Sequence, residues 1–251
     1  MRKFFASILS VPFYLAFGLC LVVFHVLQVI SFRIFGYQAH KKSVDIFNFF
    51  LLRCLNLLGN RVSFRNHFNF NRQNAHIIIA NHQSMFDIPP LIWHLRQLHP
   101  KFISKKELGK GIPGISYNLK YGGSILIDRD DRSQALAAIA GFGAYLSKFK
   151  RAAVIFPEGT RSRTGQPKAF SRNGLKTLFK HCPEAKIVPV SINNSWKLQG
   201  FGMFPMNIGL HLKFEVHQPL NLDDFKTHDE LIDQVEATIT SHIYPVKTQT
   251  S

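Results

Sequence analysis

The longest uninterrupted apolar stretch opens the chain. From Phe4 to Phe32 there is no Asp, Glu, Lys or Arg, and such a run can cross a hydrocarbon core, which takes about 20 residues. Arg2 and Lys3 precede it as in a secretory leader, but the run exceeds the roughly 7 to 15 residues of a leader core and no small-x-small site closes it. The pattern therefore predicts a membrane-anchoring helix. Pro12, Gly18 and His25 within it leave open whether that helix spans the bilayer or lies in its interface. A second apolar segment, Val44 to Leu58, is interrupted by Asp45, Asn48, Arg53 and Asn56. That spacing fits an interfacial helix or a core helix, and its nearness to the first segment favours the membrane surface.

Beyond residue 60 the apolar runs shorten. Those over 62–66, 76–80, 101–104, 123–127, 152–156, 186–192 and 209–217 predict strands. Helical spacing predicts helices over 88–97, 131–148, 172–181 and 223–242. Pro89 and Pro90 are tolerated only in a first turn, so the first of these helices starts just after Asp87. Alternating strands and helices predict an α/β fold, its central sheet largely parallel or mixed and flanked by helices. Membrane-associated helices are expected at 1–60 and one soluble domain at 61–251. Gly- and Pro-rich joints at 109–114, 122–123, 157–167 and 200–205 read as loops within it, and the tail from Lys247 to Ser251 is expected to fray.

Charge narrows the partners. Thirty-one Lys and Arg against 15 Asp and Glu leave a formal charge of +16, which asks for an anionic partner or surface. The basic residues are dispersed and no zinc-finger or RNP-like motif is present, which argues against nucleic acid. Arg33, Lys41, Lys42, Arg53, Arg61, Arg65 and Arg72 crowd the stretch after the first apolar run, with Asp45 as the single acid. That composition suits membrane lipids of an anionic leaflet, with the soluble domain on the cytoplasmic side. Cys20, Cys54 and Cys182 are odd in number and in no metal-ligand spacing, so a reducing compartment is expected and neither a disulfide framework nor a metal or organic cofactor is implied.

The candidate chemistry sits at two strand ends. His82 follows the run Ile77 to Ala80 and precedes Ser84 and Asp87, either of which can cap a helix. The His-x4-Asp spacing recurs at His40/Asp45 and His228/Asp233, so context and not spacing singles out His82. Ligands of α/β sheets bind beyond the carboxyl ends of strands. There Asp87 can orient His82 as a general base. No Ser or Cys stands in a nucleophile-elbow context, so the nucleophile would be a substrate hydroxyl attacking an activated carbonyl. The second segment, Phe156 to Arg163, looks like a phosphate cradle. Gly159 allows close backbone approach, Thr160 adds a hydroxyl and Arg161 a planar fork. Glu158 suits an ion-pair brace for Arg161 or an acceptor for a substrate hydroxyl. Taken singly, each segment also reads as structure: a hydrogen-bonded loop histidine with a helix cap, and a Pro/Gly turn with solvated arginines.

Together with two further blocks, Gly123-Ser124-Ile125-Leu126-Ile127-Asp128-Arg129 and Ile187-Val188-Pro189-Val190, these segments occur in the order seen in glycerolipid acyltransferases. The chain resembles the 1-acylglycerol-3-phosphate acyltransferases of that family over most of its length. The resemblance implies a glycerol-3-phosphate acyltransferase-like fold with 61–251 as the catalytic domain. It implies His82 and Asp87 as the catalytic dyad, and Arg129, Glu158, Gly159, Thr160 and Arg161 at the acceptor's glycerol phosphate. Lys105 resembles a family lysine near the phosphate. The implied reaction moves an acyl group from acyl-CoA or acyl-carrier protein to the sn-2 hydroxyl of lysophosphatidic acid, giving phosphatidic acid. One departure stands out: the family commonly shows Phe-Lys-x-Gly after the third block, where this chain has Phe170-Ser171-Arg172-Asn173-Gly174. Arg172 or Lys168 would then supply the charge. The alternatives are a different lysophospholipid or anionic acceptor, or a non-catalytic binder of anionic lipid.

Overall fold

The computed structural model describes residues 1–245; the tail from Lys247 lies outside them. The chain begins with α1 (Arg2–Leu57), which is two helical arms folded back at Gly36. There φ is 76° and ψ −168°, a conformation that glycine adopts without the Cβ penalty other residues meet. The arms run antiparallel: Cys20 Sγ lies 3.9 Å from Cys54 Sγ, and the rings of Phe24 and Phe47 are 5.4 Å apart. The first arm docks one side on the rest of the molecule. Arg2 donates to the Ile208 carbonyl (2.7 Å), the Ser10 hydroxyl accepts from the Met206 amide (2.8 Å), and buried Phe13 meets Phe86. Its other side exposes Phe4, Ile8, Val11, Leu15, Leu19, Val22, Val26 and Ile30, a stripe at helical spacing. Among the described residues α1 is the one helix long and apolar enough to cross a membrane, and this uncovered stripe marks its membrane-associating face.

The second arm corrects the expectation of an interfacial helix. Val44, Leu52, Leu55 and Leu58 are buried in one cluster with Ile78, Val154 and Val190 of the sheet. Phe47 and Leu51 pack instead on Phe24 of the first arm, so the second arm is buried between the sheet and its own partner helix. Each fully buried Leu contributes roughly 1.5–3 kcal/mol, so this arm belongs to the core.

The strands are β1 (Arg61–Arg65), β2 (His76–Ala80), β3 (Pro100–Lys105), β4 (Ile125–Ile127), β5 (Ala152–Ile155), β6 (Lys186–Asn193), β7 (His211–Val216) and β8 (Leu220–Asn221). Their order is β1-β7-β6-β2-β5-β3-β4, with β8 also on β6. The five from β6 to β4 are mutually parallel, while β7 and β8 run antiparallel to β6 and β1 follows β7. The sheet is mixed, with a parallel centre. Alternation along β2 splits the core: Ile78 and Ala80 face α1 and α2 (Ile88–His94), whereas Ile77 and Ile79 face α4 (Arg132–Phe149), α5 (Arg172–His181) and α6 (His228–Ser241). One further helix, α3 (Ile115–Tyr121), was not expected; its seven residues are closed in by glycines and too short to carry a visible period. The final helix starts five residues later than expected, because Thr227 caps it through the Glu230 amide.

Candidate active site

All the candidate residues lie at the carboxyl ends of adjacent parallel strands. His82 follows β2, Glu158 to Arg161 follow its neighbour β5, Lys105 ends β3, and Arg129 follows β4. After β2 the chain makes a short 3-10 turn, Met85–Asp87, capped by the Ser84 hydroxyl, before entering α2. That turn aims the Asp87 carboxylate back at the strand end.

Asp87 is buried, yet four donors meet it. Its Oδ2 accepts from His82 Nδ1 (2.9 Å) and from the amides of Gln83 and Ser84 (2.8 Å each); its Oδ1 accepts from the Ser195 hydroxyl (2.5 Å). A carboxylate so held cannot swing, and charge-assisted bonds of this kind are about twice as strong as neutral ones. It fixes the imidazole with Nδ1 inward, which leaves Nε2 as the working nitrogen. The ring also lies flat against Phe156, with centroids 4.1 Å apart and planes at 15°, and its side chain retains 17% exposure. The dyad is thus oriented, stacked and open on one side.

The second segment is stitched to the first. Glu158 is buried, its Oε1 accepting the His82 amide (2.8 Å) and its Oε2 the Lys168 amide (2.9 Å). Burial pushes its carboxyl upward from the usual range, against the pull of those two amides. The expected ion pair between Glu158 and Arg161 is not formed among the described residues; Glu158 instead braces loop to loop through the two backbone amides. The Ser162 amide returns a bond to the His82 carbonyl (2.7 Å), and Gln83 spans from the Gly165 carbonyl to the Ser195 amide. Gly159 sits at φ +70° with open space where a Cβ would point, so it is the backbone turn and not crowding that calls for glycine. Thr160 and Arg161 are exposed on this loop, and their amides have no hydrogen-bond partner among the described residues. Arg129 donates to the Gly159 carbonyl and so ties the β4 end to the cradle. Lys105 is exposed on the strand between β4 and β5 and makes no side-chain hydrogen bond or ion pair among the described residues.

Two outcomes differ from expectation. Arg172 is spent on α6, pairing with Asp229 (3.1 Å) and Asp233, so it braces two helices and supplies no charge to the cradle. Ser195 is a site residue that sequence reasoning missed. It lies 108 positions from Asp87, just beyond the strand holding Ile187 to Val190, and only its place after a parallel strand could have pointed to it.

The model of the acyltransferase family matches residues 61–193. A 1-acyl-sn-glycerol-3-phosphate acyltransferase of Helicobacter pylori is 36% identical over 127 residues, 49% of this chain and 51% of that protein. One from Saccharomyces cerevisiae is 31% identical over 135 residues, 51% of this chain and 43% of that protein. The chain thus spans about half the length of the curated relatives it matches. The crystal structure of a 1-acyl-sn-glycerophosphate acyltransferase from Thermotoga maritima superposes with a TM-score of 0.79 at 25% identity, covering 96% of this chain and 95% of that one.

Proposed function

The chain belongs to the acyltransferase family, and from that premise we propose that it transfers a fatty acyl group from an acyl thioester, acyl-CoA or acyl-carrier protein, to the sn-2 hydroxyl of 1-acylglycerol-3-phosphate. One observation carries the reading. A histidine locked by its carboxylate through Nδ1 shares hydrogen bonds with the loop that presents Thr160 and Arg161.

In this reaction His82 Nε2 takes the acceptor's hydroxyl proton as its oxygen attacks the thioester carbonyl. Asp87 stabilises the imidazolium that forms. The tetrahedral intermediate collapses with cleavage of the carbon–sulfur bond, and the imidazolium returns the proton to the departing thiolate. Arg161 pairs with the phosphate, assisted by Lys105 across the strand ends, while Arg129 and Glu158 hold the cradle in place. The free amides of Thr160 and Arg161 are available to phosphate or oxyanion. The amides of His82, Gln83 and Ser84 are not, since Glu158 and Asp87 take them.

The hairpin supplies the setting. Its first arm is docked on one side and apolar on the other over its length, which supports insertion into one leaflet, and the basic residues that follow the first apolar run favour a cytoplasmic catalytic domain. An acceptor anchored by its own acyl chain would then meet His82 at the membrane surface. A second reading, another lysophospholipid as acceptor, draws on Arg172: its charge is held by Asp229 and Asp233, which leaves Lys168, bound through its amide to Glu158, in place of the lysine the resemblance implies. The deciding experiment is thiol release from acyl-CoA by the purified protein with a panel of lysolipids. Release stimulated selectively by 1-acylglycerol-3-phosphate supports the first reading. Equal stimulation by other lysophospholipids moves the assignment to the second, and no release with any of them ends both.

A further inference from the structure

The connection from β6 to β7 carries a surface that the proposed reaction does not use. From Leu198 to Leu210 it contains no Asp, Glu, Lys or Arg, yet its tip stands in the open: Phe201, Met203 and Phe204 are 37%, 58% and 55% exposed. The tip is not a slack end. The Asn207 amide donates to the Leu198 carbonyl (2.8 Å) and closes the base of the loop, and the side chains of Leu198 and Met206, on either side of the tip, are fully buried in the core. The fold thus spends two apolar residues on fixing the loop and presents three others outward.

That outward surface is continuous with the membrane-associating face of the first arm. The Tyr14 hydroxyl donates to the Met203 carbonyl, and its ring lies 6.3 Å from that of Phe204. Val11 and Leu15, beside Tyr14 at helical spacing, are exposed in the same direction as the rest of the stripe. The loop also adjoins the catalytic machinery. Ser195, on the Asp87 carboxylate, begins the turn Ser195–Gln199 that leads into the tip. Trp196 in that turn lies so close to Gly165, on the segment after the phosphate cradle, that a Cβ there would stand 2.2 Å from its indole nitrogen.

We propose that the loop tip is a second membrane-inserting element, with Phe201, Met203 and Phe204 entering the acyl region of the leaflet that receives the first arm. The proposal rests on the reading of that arm as membrane-embedded. Lipid is favoured over a protein partner because the tip runs on from the arm's lipid-facing stripe and carries no charge that would select a partner. Cations stand at both ends of the loop, as headgroup phosphates require: Lys197 precedes it, and Arg2 is tied to the Ile208 carbonyl (2.7 Å). The second contact has a consequence for the site. A domain held by one in-plane helix can roll about that helix's axis. A contact away from the axis removes the roll and fixes the depth at which His82 meets an acceptor.

The test places a single tryptophan in the full chain, with Trp93→Phe and Trp196→Phe as background, in bilayers of phosphatidylcholine and phosphatidylglycerol whose acyl chains carry bromine. Met203→Trp reports on the loop and Leu15→Trp on the arm. Bromine is expected to quench both. Quenching at Leu15→Trp without quenching at Met203→Trp overturns the proposal while leaving the arm embedded, and assigns the loop to a protein partner or a second copy. Quenching at neither overturns both readings. Should Met203→Trp fail to fold, Phe201→Trp takes its place. The orienting role is read from Phe201→Ser combined with Phe204→Ser: KM for 1-acylglycerol-3-phosphate in bilayers should rise about 10-fold, the worth of two partly buried phenyl groups, with turnover in detergent micelles retained. An unchanged KM in bilayers overturns that role.

Discussion

Both edges of the central sheet bury ionisable groups, carboxylates at one and basic groups at the other, and treat them in opposite ways. At the carboxyl edge, Asp87 is buried and meets four donors, and Glu158 is buried and meets two. At the amino edge, Lys101 is buried and meets no hydrogen-bond partner among the described residues, with an unpartnered His99 nitrogen beside it. Both edges hold charge away from water, but only one neutralises it internally. A satisfied network is rigid, which suits groups that must stand ready before the substrate arrives. An unsatisfied one is costly by itself and is stabilised by whatever completes it.

The sharpest way to break this contrast is at the carboxyl edge. His82→Ala is expected to lower kcat by about 10²–10⁴-fold, the usual worth of a positioned general base, with circular dichroism and membrane association unchanged. Near-parental turnover would remove the base from the mechanism. Asp87→Asn tests orientation: kcat should fall about 10²-fold or more, because an amide cannot both receive the two backbone N–H groups and stabilise an imidazolium. A loss confined to thermal stability would make Asp87 a loop anchor only.

Arg161→Ala should act chiefly on KM for the phosphorylated acceptor, by about 10–100-fold, the worth of a hydrogen bond to a charged group. Steady-state kinetics showing a kcat effect with unaltered KM would move Arg161 from binding to chemistry. Ser195→Ala removes one neutral donor from Asp87, so about a 10-fold fall in kcat with KM preserved is expected. An unchanged rate would show that three donors suffice.

The smallest effect belongs to the amino edge. Lys101 has a folded value lowered from 10.5 to about 7, so between those limits the unfolded chain binds the extra proton. Stability must then rise with pH from about 7 to about 10.5 and stay flat with respect to this group below 7. Burial first, then Arg151 and Lys41, enforce the shift, and Asp45 opposes it. Lys101→Met should abolish that rise and equal or exceed the parent's stability at pH 7, where the buried ammonium is the destabilising group. A pH profile unaltered by the substitution would show that Lys101 is hydrated and the two edges are less different than they look.

Much of this was legible in the chain. The runs at 76–80, 152–156 and 186–192 are strands because an apolar β run between helical stretches has few other ways to hide. His82 and Asp87 met as expected because a single turn separates them. The hairpin was harder. Hydropathy reports that Phe4–Phe32 and Val44–Leu58 avoid water, but lipid and protein core satisfy that demand equally, and the second segment found a sheet to cover. Lys101 gave no sign either, since one lysine in a strand pattern reads as a solvated end.

What the sequence alone determined is local: which segments become strands or helices, where turns fall, and which side chains a few residues apart can touch. These follow from backbone sterics and apolar periodicity, which act along the chain. The tertiary structure decided the meetings. It set β5 beside β2, so that Glu158 reaches a backbone amide 76 residues away; brought Ser195 to Asp87; turned Arg172 toward α6; and sealed Lys101 behind the hairpin. Strand order and helix docking are settled by how all the apolar faces are covered at once, and no single segment carries that information.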